Sequence, residues 1–190
     1  MKNKGLLIIL SAPSGAGKST VVQELMKKRD NLRFSVSATT RSPRIGEIDG
    51  KDYYFVSREK FEEMIKNSEF LEYAQYVDNF YGTPRNALEE QLEQGFDVIL
   101  DIETQGAFQV KEKCPDSLMI FLMPPSFEEL ERRLIGRGKD APEVIRNRLE
   151  VARHECSLAE KYDHIIVNDN VQRAAEEFLA TVDKEKINRK

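Results

Sequence analysis

The segment SAPSGAGKST, Ser11 to Thr20, constrains this chain more than any other stretch of it. It follows Leu6 to Leu10, a run apolar at every position, as expected of a central parallel strand covered on both faces. It leads into a predicted helix from about Ser19 to Lys28, with Val22, Leu25 and Met26 on one side. The turn between them matches GxxxxGK[ST], except that Ala12 stands at the first glycine. Gly15 and Gly17 let the backbone turn so that successive N–H groups face a phosphate, and the helix adds its positive end. Lys18 suits the β- and γ-phosphates of a nucleoside triphosphate, and the Ser19 hydroxyl suits Mg2+. The loop made by Ala12, Pro13, Ser14, Gly15, Ala16, Gly17, Lys18, Ser19 and Thr20 is therefore predicted to bind nucleotide.

Two further runs, Phe96 to Ile102 and Leu118 to Met123, read as buried strands, and His164 to Val167 as a shorter one. Ser126 with Glu129 carries a capping-box pattern at a helix start. The last helix sets Val171, Ala174, Ala175, Phe178, Leu179 and Val182 along one stripe. Strands alternating with helices predict an α/β fold on a parallel sheet. The stretch from about Phe34 to Gln94 differs. RFSVSATTR and KDYYFVS are short β-like runs, a helix follows Ser57, and another begins at Thr83-Pro84 and stops at Gly95. This reads as an inserted α+β lobe, and the Arg-rich stretch from about Ser126 to Glu155 as a second insertion. Mobile lobes suit an enzyme that closes over two substrates.

The 190 residues, 40% of them hydrophobic, suffice for one domain with its own core. A net charge of −4 disfavours a general nucleic-acid coat, so anionic ligands must be met by locally placed cations. No apolar run approaches the ~18 residues of a membrane span, and none resembles a signal peptide. A cytoplasmic protein without membrane association is expected, with Cys114 and Cys156 as ordinary thiols. His154 and His164 fit no metal or triad pattern. With no heptad pattern, both a monomer and a homo-oligomer stay open.

Asp101, at the end of its strand, is a candidate carboxylate for orienting Mg2+ or its waters, or else a strand-end cap. DIETQG lacks the DxxG spacing of a GTPase, and VNDN lacks the lysine of NKxD. Phosphoryl transfer between two nucleotides is the better reading. Arg41 and Arg44, with Tyr53 and Tyr54 nearby, are donors suited to a monophosphate dianion, or form a solvated basic turn. Glu72 is either surface charge or a base reader. Guanine offers N1–H and N2–H2 side by side, which a carboxylate accepts, whereas adenine offers an acceptor there. Ser37 and Thr83 are candidate donors to guanine O6.

With these pieces the sequence resembles the guanylate kinase family from about Gly5 to the final helix. The resemblance rests on APSGAGKST, FSVSATTRSPRIGEIDGKDYYFV, FLEYAQYVDNFYGT, DIETQGA and the RLIGRG…RNRL pair. Its TTRxPRxGExxGxDYxF run is far more specific than a phosphate loop. The resemblance implies a P-loop NTPase-type α/β fold: a core over about 1–34, 96–125 and 156–190, a GMP-binding lobe over about 35–95, and a lid over about 126–155. It implies phosphoryl transfer from MgATP to GMP, and to dGMP, giving ADP and GDP in purine nucleotide metabolism and GMP recycling. By the same resemblance Arg41, Arg44, Tyr53 and Tyr81 hold the GMP phosphate, and Ser37, Glu72 and Thr83 meet the base. Glu103 joins them on N2, where many relatives carry Asp, and Asp101 borders the GMP site as well as Mg2+. Arg137 and Arg148 would close on the ATP phosphates, and Asn168 would line the adenine site. Lys18, Arg41, Arg137 and Arg148 are the expected catalytic set. Arg132, Arg133, Arg146 and Arg153 are expected mostly to form solvated salt bridges. Related domains also serve as non-catalytic interaction modules that have lost site residues, but Lys18, Ser19, Arg41 and Arg44 are all kept here.

Overall fold

The computed structural model describes residues 4–76, 78–136 and 141–189. Its centre is a parallel sheet of five strands: β1 (Leu7–Ser11), β2 (Leu32–Phe34), β7 (Asp97–Asp101), β8 (Leu118–Met123) and β9 (His164–Val167). They lie in the order β2-β7-β1-β8-β9. β1 is buried at every residue because helices cover both faces of the sheet. On one face Ile8, Leu10, Ile99 and Ile120 pack against α1 (Lys18–Lys28) and α7 (Val171–Asn188). On the other, Leu7, Ile9, Leu100 and Phe121 pack against α3 (Arg85–Glu93) and α4 (Thr104–Lys113). The adjacent strands β1 and β7 thus lead into helices on opposite faces. That arrangement opens a crevice at the carboxyl ends of the strands, where such sheets bind ligands.

A second sheet has the order β4-β3-β6-β5. Its strands are β3 (Ala38–Thr39), β4 (Tyr54–Phe55), β5 (Phe70–Tyr76) and β6 (Asn79–Pro84). Helix α2 (Arg58–Lys66) covers it, capped by the Ser57 side chain as expected. Phe61 from α2 stacks between Phe70 and Phe80, with ring centres 4.4 and 5.4 Å away. The antiparallel β5–β6 pair was not foreseen in the sequence. Its register shifts between Phe70 and Glu72, so that Leu71 is an extra residue on β5.

The run RFSVSATTR divides near residue 34, with Arg33 and Phe34 of β2 in the central sheet and Ala38–Thr39 in the second. One expected boundary moves. Helix α3, expected within the lobe ending near residue 95, packs on the central sheet, because Leu88 and Leu92 are buried there with Leu7 and Val98. Helices α5 (Phe127–Gly136) and α6 (Pro142–Ser157) pair through Leu130, Leu134, Ile145 and Ala152. Half of the capping box at Ser126 is seen: its hydroxyl accepts from the Glu129 N–H at 3.1 Å, while the Glu129 carboxylate accepts from Arg132 and Arg133. No helix among the described residues is long and apolar enough to cross a membrane.

Candidate active site

The loop between β1 and α1 takes the turn its glycines permit. Gly15 and Gly17 have φ of 96° and 90°, a region side chains rarely adopt. At Gly17 a Cβ would also stand 2.5 Å from the Asn168 amide nitrogen. Helix α1 begins with no side-chain cap and no acidic residue in its first turn, which leaves its positive end to a ligand. Behind the loop, the Ala16 carbonyl accepts from Asn168 Nδ2 at 2.7 Å and from Arg133 Nη1 at 3.3 Å. Arg133 also donates to the Asn168 carbonyl at 3.1 Å and to Glu129 at 2.8 Å. Because a trans peptide points its C=O and N–H in opposite directions, holding the Ala16 carbonyl outward aims the Gly17 N–H inward.

Two cavities meet in front of the loop. The larger, about 610 Å3, is lined by Ala12, Pro13, Ser14, Gly15, Gly17, Lys18 and Ser19 on one side, and by Val144, Asn147, Arg148, Val151 and Glu155 of α6 on the other. The smaller, about 340 Å3, is lined by Ser37, Tyr53, Glu72 and Tyr81 of the small-sheet region, and by Asp52, Gln75, Gln105 and Gly106. Lys18, Asp101 and Glu103 line both. Lys18, opening α1, is ion-paired with Asp101, closing β7.

Within the smaller cavity Glu72 is only 5% exposed. The Thr83 hydroxyl donates to its Oε1 at 2.7 Å. Burial raises the Glu72 pKa from its ordinary value, while hydrogen bonds from Thr83 and the charge of Lys113 pull it down. Helix α4 approaches so closely that a Cβ on Gly106 would lie 2.9 Å from Glu72 Oε2. A buried, hydrogen-bonded carboxylate facing a cavity is able to accept from donors placed there, and its burial does not fit the surface-charge alternative.

Several expected residues do not line either cavity. Thr83 is fully buried and spends its hydroxyl on Glu72. Arg41 is chelated by Glu47, with Nη1 and Nη2 donating to the two carboxylate oxygens at 3.0 and 2.8 Å. This pairing, aided by Tyr81, raises the Arg41 pKa. Its guanidinium carbon is 5.4 Å from the centre of the Tyr53 ring, beside the smaller cavity. Arg44 is exposed; its backbone N–H donates to the Glu47 carboxylate at 2.6 Å and its carbonyl accepts from the Glu47 N–H at 3.0 Å. Ala16 is buried and Thr20 lies exposed in the first turn of α1. Asn168 does not line either cavity: it is 2% exposed and its amide braces the loop from behind. Arg137 lies outside the described residues. Arg132 pairs with Glu129 on the surface as expected, but Arg133 does not follow the solvated pattern, since two of its bonds reach loop and strand-end carbonyls.

The chain's likeness to known proteins agrees with this layout. The family model described as guanylate kinase matches residues 4–185. The chain belongs to the guanylate kinase family. It is 52% identical over 183 residues to a guanylate kinase of Clostridioides difficile, covering 96% of this chain and 89% of that one. It is 55% identical over 186 residues to a guanylate kinase of Streptococcus thermophilus, covering 97% and 89%. The crystal structure of a guanylate kinase from Anaplasma phagocytophilum superposes with a TM-score of 0.79 at 39% identity, covering 97% of this chain and 88% of that one.

For a guanylate kinase family member, the cavities hold residues that sequence reasoning passed over. Val144, Arg148, Val151 and Glu155 recur at helical spacing, so one face of α6 was legible once Arg148 was singled out. Asp52, Gln75 and Gln105 carry no comparable signal and come together only through the fold. Glu155 is half-buried, and burial followed by the charge of Glu103 raises its pKa to about 7, against the pull of Lys18.

Proposed function

We propose that the chain is an ATP:GMP phosphotransferase, moving the γ-phosphoryl group of MgATP to GMP to give ADP and GDP. The observation that carries this reading is the meeting of the two cavities at Lys18, Asp101 and Glu103, with the buried carboxylate of Glu72 in the smaller one. ATP lies over the loop in the larger cavity, its phosphates held by the inward N–H groups and Lys18. GMP fills the smaller, where the Glu72 carboxylate accepts from N1–H and N2–H2, and Ser37 donates to O6. Thr83 serves by fixing Glu72 and not as a direct contact. The phosphate of GMP sits among Arg41, Tyr53 and Tyr81, with Glu47 setting the plane of the guanidinium, and Arg44 joins as the small-sheet region closes.

Ser19 and Asp101 offer hydroxyl and carboxylate oxygens beside the phosphate position, the donor chemistry Mg2+ prefers. Among the described residues no three acidic or His/Cys side chains cluster as a metal cage, which suits an ion held mainly by phosphate and water. When bound with ATP, Mg2+ supplies positive charge that offsets the charge of the phosphoryl group in transfer. The acceptor is already an anionic oxygen, so no general base is assigned. Lys18, Arg41 and Arg148, with Arg137 from outside the described residues, orient the two phosphates in line and balance the charge that develops. Asn168 acts on ATP through the shape of the loop. The central sheet with α3 forms the core, the second sheet with α2 the GMP lobe, and α5–α6 the lid. The cytoplasm is the compartment this chemistry implies.

The test is ADP formation from MgATP with GMP, dGMP, AMP, UMP and CMP offered separately. Turnover with GMP and little with AMP is the expected outcome. Turnover led by AMP or UMP would overturn the base assignment, and a folded, ATP-binding protein inactive with every acceptor would overturn the enzyme.

A further inference from the structure

We infer that Lys113 is a positioning residue for guanine selection, pinning the β5 bulge that carries Glu72 and lending that carboxylate a compensating charge. The inference rests on reading Glu72 as the base contact. Lys113 is the last residue of α4, where a lysine ordinarily bonds the carbonyls ending its own helix. Here its ammonium leaves the helix and donates to the Leu71 carbonyl, 2.5 Å away on β5. Leu71 is the extra residue of the bulge, since Phe70 pairs with Pro84 and Glu72 with Thr83. A bulge residue lacks a ladder partner, and Lys113 supplies one to the peptide that immediately precedes Glu72.

The same helix meets Glu72 a second time. Gly106 lies seven residues before Lys113, two turns along one face, and packs against Glu72 Oε2. Helix α4 therefore fixes the carboxylate at one end and its backbone at the other, across the junction of the two sheets. A Cβ at Gly106 would break the first contact, and loss of the Lys113 ammonium would break the second.

The charge matters because only an ionised carboxylate accepts from both guanine donors; a protonated one turns an O–H toward them. Burial and the nearby Glu103, at the N-terminal end of α4, favour the protonated form of Glu72. Thr83, through its hydroxyl and backbone N–H, and Lys113 favour the ionised form. Asp52, Tyr53, Tyr81 and Asp101 also line the cavity, and Lys18 with Asp101 forms a pair of no net charge. Lys113 is a cation on α4 whose charge offsets that of Glu72.

Lys113 is exposed, so Lys113→Met and Lys113→Arg are compared with the parent after thermal melts show both folded. Steady-state kinetics are measured from about pH 5 to pH 8.5, varying GMP and ATP separately. For Lys113→Met, KM for GMP is expected to rise about tenfold at neutral pH, with kcat and KM for ATP unchanged. The acid limb of kcat/KM for GMP moves to higher pH, because Glu72 then holds its proton longer. Lys113→Arg keeps the parent values. A Lys113→Met enzyme with the parent KM for GMP, or with a higher KM and an unmoved acid limb, overturns the inference. Glu72→Gln is run beside them: if it keeps the preference for GMP over AMP, the base-contact reading falls and this inference with it. If Glu72→Gln loses that preference while Lys113→Met matches the parent, the inference alone falls.

Discussion

The Lys18 ammonium and the Asp101 carboxylate form an ion pair on the wall that the two cavities share. Lys18 opens α1 and Asp101 closes β7, so the pair spans the carboxyl ends of two adjacent strands. Neither side chain is fully buried. The pair sets a cation where, in the proposed reaction, a donor phosphate and an acceptor phosphate would come together, and bound phosphates would take over the ammonium from Asp101.

Lys18→Met should therefore lower kcat by about 10²–10³, as when other preorganised electrostatic groups are removed, and leave the fold intact. The measurement is coupled ADP release at saturating MgATP and GMP, with a circular dichroism melt as control. Turnover close to the parent's would remove Lys18 from the catalytic set.

Asn168 gives a sharper test of how the phosphate loop keeps its shape. Its amide and the Arg133 guanidinium converge on the Ala16 carbonyl, and Gly17 leaves no room for a Cβ beneath that amide. Asn168→Ala removes the shorter of the two bonds at a buried position, at a cost of about 1–3 kcal/mol. The loss should appear as a higher KM for ATP, about fivefold or more, with KM for GMP unchanged. An effect on GMP instead would place Asn168 outside the loop's support.

Four strands of the parallel core, β1, β7, β8 and β9, were legible because they are largely apolar runs bracketed by polar loops and helical spacing, whereas β2, three residues with Arg33 at its centre, was not. The β5–β6 pair was not, because Glu72 occupies an inward position where alternation calls for an apolar residue, and the bulge at Leu71 breaks the alternation altogether. The loop residues were readable from their fixed spacing. Arg133 was not separable from its neighbours, since the lid arginines share one local composition and only the packing of α5 behind the loop selects one. Asn168 was expected to line the adenine site, and the fold sets its amide behind the phosphate loop, on the Ala16 carbonyl: sequence position gives proximity, and only the fold gives direction.

A second anchor lies at the opposite end of the sheet. Asp97 is fully buried, accepts from the Leu6 N–H at 2.9 Å, and takes both its oxygens to the Lys186 ammonium at 2.8 Å. Lys186→Met should leave that carboxylate without its cation and cost about 2–4 kcal/mol, toward the low side because the lysine is partly exposed. Urea denaturation reads the loss, and kcat and both KM values should stay at parent levels.

Glu155 makes the ATP cavity sensitive to pH in the neutral range. Its carboxyl is raised to about 7 by burial and then by the charge of Glu103, with Lys18 opposing. The folded chain thus keeps a proton there that the unfolded chain has already released. Stability from this group is present in full below the ordinary carboxylate value of about 4.3 and is lost as pH rises toward and through about 7. Glu155→Gln should abolish that loss and leave the variant more stable than the parent at about pH 8, read by thermal melting. Function changes in step, because an ionised Glu155 on α6 adds negative charge to the cavity that receives the triphosphate. KM for MgATP should rise from about pH 6 to pH 8 more steeply in the parent than in Glu155→Gln. The triphosphate itself titrates in this range, so the readout is the difference between the two proteins and not either slope. Parallel slopes would mean that the Glu155 carboxyl does not share the cavity with the phosphates.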